Sequence, residues 1–261
     1  VRRPLILATD LDGTFLEGSE DDRRSLARLF WTVDEATLVF VSGRGVSSIG
    51  SLLRTDPLLP TPDYVIGDVG ATVVHGGSWR PVEPLQGEID RRWSGSEVVR
   101  ETLRRFEALV PQDVLQERRC SFFADEGEVD GDLRDVVESI GCDLVFSNGR
   151  FLDILPKGVS KGRTLQRLLT LENLDPAAVV VAGDTLNDLS LFELALKGVL
   201  VGNAEPAVRE RVAGFDWVYR ASRPGGAGIL EGLRHHGFLA PPSGGSRTPP
   251  LSTTCPIPPD P

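Results

Sequence analysis

Two aspartates, Asp10 and Asp12, stand one residue apart directly after the apolar run Leu5-Ile6-Leu7-Ala8, within the segment Asp10-Leu11-Asp12-Gly13-Thr14. Residues i and i+2 of an extended chain share a face, and a sharp turn at Gly13 lets both carboxylates converge on one ligand. One can attack an electrophile while the other moves a proton. Asp and Gly are also ordinary turn formers, so the segment taken alone reads equally as a strand end. Three later segments weigh toward chemistry. Val39-Phe40-Val41 runs into Ser42-Gly43-Arg44, where a small hydroxyl residue and a glycine suit a phosphate contact. Val179-Val180-Val181-Ala182 runs into Gly183-Asp184-Thr185-Leu186-Asn187-Asp188, a third apolar strand ending in acids. Between them, Ser160-Lys161-Gly162 opens an amphipathic helical pattern.

Helical and strand patterns alternate around these segments, which predicts an α/β fold with a parallel sheet covered on both faces. In the first crossover, Ser19 is a candidate N-cap, and Leu26, Leu29, Phe30 and Val33 follow at helical spacing as core residues. From about residue 80 to 157 the pattern changes. Val98, Val99, Leu103, Phe106 and Leu109 suggest a helix, Cys120-Ser121-Phe122-Phe123 a strand, and Leu133 to Val137 a second helix. Two strands, Leu144-Val145-Phe146 and Phe151-Leu152-Asp153-Ile154, meet at Asn148-Gly149, a pair that tolerates the positive φ of a tight hairpin turn. The chain then returns to a core containing the Lys161 helix, the Val179 to Ala182 strand, a helix around Leu189 to Phe192 and the strand Val199 to Val201. The tail from Pro241 is rich in Pro, Ser, Thr and Gly without a hydrophobic period, and disorder is expected there. The expected division is a core over 1–79 and 158–240, a smaller α/β unit over 80–157, and a disordered tail over 241–261.

With 261 residues and 40% hydrophobic content, the chain can bury one substantial core and a smaller second one. A net charge of −10 argues against broad nucleic-acid binding, which needs basic groups to replace the counterions around phosphates. A small molecule is the expected partner. An acidic protein that takes a phosphorylated ligand needs local positive charge, which a divalent cation, a lysine and backbone N–H groups supply. No segment calls for a membrane. Arg2-Arg3 precedes only a short apolar segment that lacks the length and cleavage region of a secretory signal, so a cytoplasmic location is expected. Cys120, Cys142 and Cys255 lack zinc-site spacing and are expected to be reduced thiols.

The ordered set DLDGT, Ser42, Lys161 and GDTLND resembles the four motifs of the haloacid dehalogenase phosphatase superfamily, over roughly residues 5 to 240. The length of the insert between the second and third motifs resembles the subfamily with a large α/β cap. Within it, the chain is most similar to sucrose-phosphate phosphatases, through Asp63 to Gly70, Phe151 to Pro156 and Ala227 to Leu230. The resemblance implies a Rossmann-like core with helices on both faces and an inserted α+β cap. It implies Mg²⁺-dependent hydrolysis of a sugar phosphate, with Asp10 as nucleophile forming an aspartyl-phosphate. Asp12 would protonate the departing sugar oxygen and then take a proton from water. The metal set would be the Asp10 carboxylate, the Asp12 main-chain carbonyl, Asp184, and Asp188 through water, all hard oxygen donors. Lys161 would place positive charge beside Asp10 and the phosphoryl group. Ser42 (through its hydroxyl and backbone N–H), Gly43 and Asn187 would contact phosphate. Arg44 contacts phosphate, orients the neighbouring carboxylates or fixes a loop.

Sucrose 6-phosphate or a related glycosyl phosphate of compatible-solute synthesis is the leading substrate expectation. A glucosyl- or mannosyl-3-phosphoglycerate is the alternative, marked by excess basic groups facing the cavity. A phosphomutase is a further enzyme reading. A different class is a catalytically quiet sugar-phosphate-binding partner of a glycosyltransferase, and association with such a synthase is a further expectation. Gln116-Glu117-Arg118-Arg119 and Ser147-Asn148 offer partners for sugar hydroxyls, and Lys157 one for another anionic group. His75, Trp79 and Trp93 receive no role. Where the sucrose-phosphate phosphatases carry an acidic residue shortly after the glycine matching Gly70, this chain has Ala71-Thr72, which bears on the sugar rather than on the phosphate chemistry.

Overall fold

The computed structural model describes residues 4–32, 35–114 and 117–241. Val33, Gln116, Cys255, Arg2-Arg3 and the tail beyond Pro241, all named above, lie outside the described residues. The strands in chain order are β1 (Leu5–Thr9), β2 (Ala36–Val41), β3 (Tyr64–Gly67), β4 (Thr72–His75), β5 (Val110–Pro111), β6 (Cys120–Phe123), β7 (Cys142–Ser147), β8 (Phe151–Pro156), β9 (Val179–Gly183), β10 (Lys197–Leu200) and β11 (Val218–Arg220). The α-helices are α1 (Glu20–Thr32), α2 (Val46–Thr55), α3 (Leu85–Arg92), α4 (Ser96–Leu103), α5 (Gly131–Ser139), α6 (Lys161–Leu171), α7 (Leu189–Phe192), α8 (Pro206–Arg211) and α9 (Gly225–His235).

Seven strands form the large sheet in the order β11-β10-β9-β1-β2-β3-β4. Every pairing is parallel except β3 with β4. The apolar run of β1 reads as continuous because both of its faces are buried. Leu5 and Leu7 join one cluster with Leu26 of α1, Ile49 of α2 and Ile229 and Leu233 of α9. Ile6 and Ala8 join the other, with Leu165 and Leu168 of α6, Phe192 of α7 and Val208 of α8. That alternation shows the helices on both faces. Ser19 caps α1 as expected: the Asp22 N–H donates to its hydroxyl at 3.2 Å.

The chain leaves β1 toward β2 on one side and later comes back to β9 on the other, so the strand order reverses between β1 and β9. In parallel α/β sheets the crevice beyond the strand ends at such a reversal is where ligands bind. Asp10 follows β1, Ser42 follows β2 and Asp184 follows β9.

The second sheet is antiparallel, in the order β5-β6-β8-β7. One face packs on α4 and α5 through Cys120, Phe122, Leu152 and Ile154. The intervening residues, Ser121, Asp153 and Phe151, point the other way by the two-residue period of a strand. The β7–β8 turn has positive φ at both Asn148 and Gly149, as their sequence requires. Two expectations need correction. The predicted helix through Phe106 and Leu109 ends at Leu103, and single turns continue its spacing, with Phe106 N–H on the Leu103 carbonyl and Leu109 N–H on that of Phe106. Val98 is exposed instead of facing the core. Val82, Leu85 and Ile89, assigned by sequence to the smaller unit, pack in the cluster beneath the large sheet. Cys120 and Cys142 are buried free thiols, and no helix among the described residues is long and apolar enough to cross a membrane.

Candidate active site

Leu11–Phe15 coils in one wide turn after β1, closed by i+5 hydrogen bonds from Phe15 N–H to the Asp10 carbonyl and from Leu16 N–H to the Leu11 carbonyl. Such π-type turns recur at functional sites because they re-aim side chains within a few residues. Gly13 has φ +75°, and a Cβ there would lie 2.2 Å from Asp184 Oδ2. The glycine thus suits both the left-handed backbone and the close approach of the Asp184 carboxylate.

Lys161 stands at the first position of α6, whose N-cap is Ser160, and is fully buried. Its ammonium donates to Asp10 Oδ1 at 2.7 Å, Asp188 Oδ1 at 2.7 Å and Asn187 Oδ1 at 2.8 Å. Asp188 Oδ2 in turn accepts the backbone N–H groups of Asp184 and Thr185. Thr14 donates to Asp184 Oδ1 at 2.9 Å. Ligand oxygens of Asp10, Asp184 and Asp188 lie within 4.8 Å of one another.

Three carboxylates around one lysine leave negative charge in a buried place, and the titration directions reflect it. Burial raises the Asp10 carboxyl well above the usual range, against the pull of Lys161 and with help from Asp188 and Asp184. Burial and then Asp188 push Asp184 up to about 7. For Lys161, burial would lower the pKa, but Asp10 and Asp188 outweigh it and hold the ammonium above the ordinary lysine range. A compact set of oxygen donors with uncompensated charge fits a hard divalent cation of the Mg²⁺ kind. No cysteine or histidine belongs to the cluster.

Arg44 grips Asp12 in a fork, Nε to Oδ2 at 2.7 Å and Nη2 to Oδ1 at 2.6 Å, and also donates to Ser48. That hydrogen bonding raises the Arg44 pKa further. Of its three expected roles, the contact with a neighbouring carboxylate is the one these hydrogen bonds correspond to. The Ser42 hydroxyl is buried and accepts the Arg44 backbone N–H. The Ser42 N–H, expected to face phosphate, donates to the Ile66 carbonyl at 2.8 Å instead, because β2 continues its ladder with β3 through that residue.

Asp10, Asp12, Gly43, Arg44, Asp184 and Asn187 line one cavity of about 620 Å³ between the crevice and the polar face of the second sheet. Glu117, Arg119, Ser147 and Asn148, named from sequence as hydroxyl partners, line it too. Arg118 turns away to Asp90 and Glu117, and Lys157 pairs with Glu138 at the surface, outside the cavity lining. His75 lies against Tyr64 with the two rings tilted at 43°, and Trp93 packs in the cluster of the second sheet. Sequence reasoning assigned no role to Thr14, Asp68 or Asp153. Thr14 was visible inside DLDGT, and the other two lay inside the segments Asp63 to Gly70 and Phe151 to Pro156 that carry the resemblance, Asp68 in the turn after β3 and Asp153 in β8.

A family model described as Sucrose-6F-phosphate phosphohydrolase matches residues 3–237. The glucosylglycerol-phosphate synthase of Pseudomonas anguilliseptica is 48% identical over 236 residues, covering 90% of this chain but 31% of the synthase, so the chain spans about a third of that relative. The mannosylfructose-phosphate phosphatase of Agrobacterium fabrum is 32% identical over 250 residues, covering 90% of this chain and 98% of the relative. Among solved structures, the sucrose-phosphatase of Synechocystis sp. PCC6803 in complex with sucrose and phosphate superposes with a TM-score of 0.78 at 26% identity, over 90% of this chain and 98% of that one.

Proposed function

The chain belongs to the sucrose-6F-phosphate phosphohydrolase family, and from that membership we propose that it hydrolyses the phosphate ester of a neutral glycoside. The observation that carries the reading is Lys161, sealed between Asp10 and Asp188 at the crevice where Asp184 follows β9. Asp10 is the nucleophile. A carboxylate attacks phosphorus while ionised and needs no separate base, and the Lys161 ammonium reduces its repulsion with the incoming phosphate. Asp12, held by Arg44, protonates the leaving sugar oxygen and later takes a proton from the water that cleaves the aspartyl-phosphate. The Asn187 carbonyl oxygen is committed to Lys161 and Thr185, which leaves its amide N–H₂ facing Gly43 for the phosphate oxygens. Ser42 contributes its hydroxyl. Asp10, Asp184, the Asp12 carbonyl, and Asp188 through water would hold Mg²⁺, which when bound supplies charge neutralisation for the phosphoryl group.

The smaller unit, 80–157 in the sequence reading, serves as a cap that roofs the cavity and selects the sugar. Among the described lining residues only Arg44 and Arg119 are basic, and both are engaged by carboxylates, which supports a neutral glycoside over a glycosyl-3-phosphoglycerate. Sucrose 6-phosphate, a mannosylfructose phosphate and a glucosylglycerol phosphate are the candidates, the last two from the names of the relatives. The synthase name of one relative also supports a working association with a glycosyltransferase.

The test is phosphate release with and without Mg²⁺ across these three esters, a glucosyl-3-phosphoglycerate and p-nitrophenyl phosphate. Metal-dependent release that prefers one neutral glycosyl phosphate is the expected result. Binding of sugar phosphate without release from any ester would instead favour the catalytically quiet partner.

A further inference from the structure

Beside the two acid-bearing turns runs a third segment, residues 202–205, to which the sequence assigns no role. It follows β10, the neighbour of β9 in the large sheet. The segment is itself firmly held. Gly202 N–H donates to the Arg223 carbonyl at 2.7 Å, and Arg209 of α8 donates through Nη2 to the Gly202 carbonyl at 2.6 Å and through Nε to the Ala204 carbonyl at 2.9 Å. From this base two residues reach the turns. Asn203 Nδ2 donates to the Gly13 carbonyl at 2.7 Å, and its Oδ1 accepts the N–H of Gly225, the first residue of α9, at 3.0 Å. Glu205 N–H donates to the Asp184 carbonyl at 2.9 Å, and its Oε1 accepts the N–H of Leu186, between Asp184 and Asp188.

We propose that Asn203 and Glu205 are positioning residues that lock the turn after β1 to the turn after β9, so that the acids of both turns meet one divalent cation at a fixed separation. This deepens the phosphatase reading and rests on its metal assignment. The i+5 hydrogen bonds that close the first turn use the Asp10 and Leu11 carbonyls, so the Gly13 carbonyl is fixed from outside the turn, by Asn203. The residue before Gly13 is Asp12, whose carbonyl is assigned to Mg²⁺, and the residue after it is Thr14, which donates to Asp184 Oδ1. An amide serves there because it offers a donor and an acceptor at once, as a carboxylate does not. Asn203 is exposed, so its loss removes hydrogen bonds of modest net value to the fold. Neither side chain belongs to the cavity lining, so both act through the acids and not on the substrate.

The experiment titrates chelator-treated protein with Mg²⁺ and reads the rise in Tm without substrate and, separately, phosphate release from p-nitrophenyl phosphate. Asn203→Asp keeps the acceptor for Gly225 and loses the donor for Gly13. Its added negative charge alone would tighten Mg²⁺, so weaker binding reports geometry. Asn203→Asp and Glu205→Ala should each raise the Mg²⁺ concentration at half-effect by about 10- to 100-fold in both readouts, the range for groups that orient metal ligands, with kcat reduced and KM for the ester little changed. Glu205→Gln, which keeps an oxygen for the Leu186 N–H, should restore the wild-type midpoint. Unchanged or tighter Mg²⁺ binding in Asn203→Asp and Glu205→Ala, even with a lower Tm of the metal-free protein, overturns the proposal while leaving the phosphatase reading standing. Glu205→Gln as impaired as Glu205→Ala overturns it for Glu205, since charge and not geometry is then at work. Wild-type protein whose Tm does not respond to Mg²⁺ also overturns it. The Tm readout needs no turnover, so it decides the proposal even where no ester is hydrolysed and the phosphatase reading fails.

Discussion

At the scale of single residues, the site is organised by Lys161. Its three hydrogen-bond acceptors come from the end of β1 and from the turn after β9, so one ammonium fixes the relative positions of Asp10, Asn187 and Asp188. Asp10→Asn keeps the shape and removes the charge that the proposed mechanism assigns to the attack. Turnover should fall on the order of 10³-fold or more, as it does when a covalent nucleophile is lost, while substrate binding persists. A variant with near-normal phosphate release would exclude Asp10 as nucleophile. Lys161→Met fills similar volume but leaves buried carboxylates without their cation. Breaking one side of a buried ionic network costs about 3–5 kcal/mol, and partial protonation of the carboxylates offsets some of it. Urea unfolding should therefore show a clear loss of stability along with loss of turnover, and retained stability would mean that the carboxylates do not depend on this lysine. The acids and the lysine were legible because each follows an apolar run or opens a helix. Arg119, Asp68 and Asp153 were not recognisable as a group, because their association brings the turn after β3 against the second sheet, which no local pattern carries.

At the scale of elements, the site depends on how closely α6 and α7 approach. A Cβ on Gly162 would lie 1.8 Å from the Ser190 carbonyl oxygen at the start of α7. Two effects oppose each other in Gly162→Ala. Helix propensity favours alanine by about 1 kcal/mol, whereas forcing apart two packed backbones costs typically ~1–3 kcal/mol or more. The obstacle is main chain and cannot rotate away, so the clash should win, and α6 should move with Lys161 at its first turn. The expected outcome is a lower urea midpoint together with reduced turnover; a higher midpoint would mean that the helices separate freely. Elements also show where sequence reading stops. Strands β1, β2 and β9 were legible as apolar runs ending in polar residues. The helix through Val99 and Leu103 was read too long because turns at Phe106 and Leu109 keep the three-residue spacing after the helix has ended. Strand β4 and helix α3 went unassigned. The first is only four residues, and the second is largely polar, with Leu85 and Ile89 its only apolar side chains. Its packing on the large sheet is a tertiary choice.

At the scale of the whole molecule, net charge and metal binding have to be separated. The chain carries −10 overall, so any divalent cation will screen its surface to some degree. The buried cluster is a distinct contribution: Asp10, Asp184 and Asp188 outnumber the single lysine among them, and burial pushes the Asp10 and Asp184 carboxyls above their ordinary range. A cation that binds only the folded form stabilises it by about 2.7 kcal/mol at a concentration one hundred times its Kd. At roughly 2–4 °C per kcal/mol for a chain of this size, Tm should rise by about 5–10 °C when Mg²⁺ is added to chelator-treated protein. Surface screening would act alike on the wild type and on Asp184→Ala, so the difference between the two shifts is the quantity to read. A large shift in the wild type that nearly vanishes in the variant assigns the cation to the crevice between β1 and β9. Equal shifts in both would mean that Mg²⁺ acts on the surface alone, and the charge in the crevice would then have to be met by protons taken up by Asp10 and Asp184.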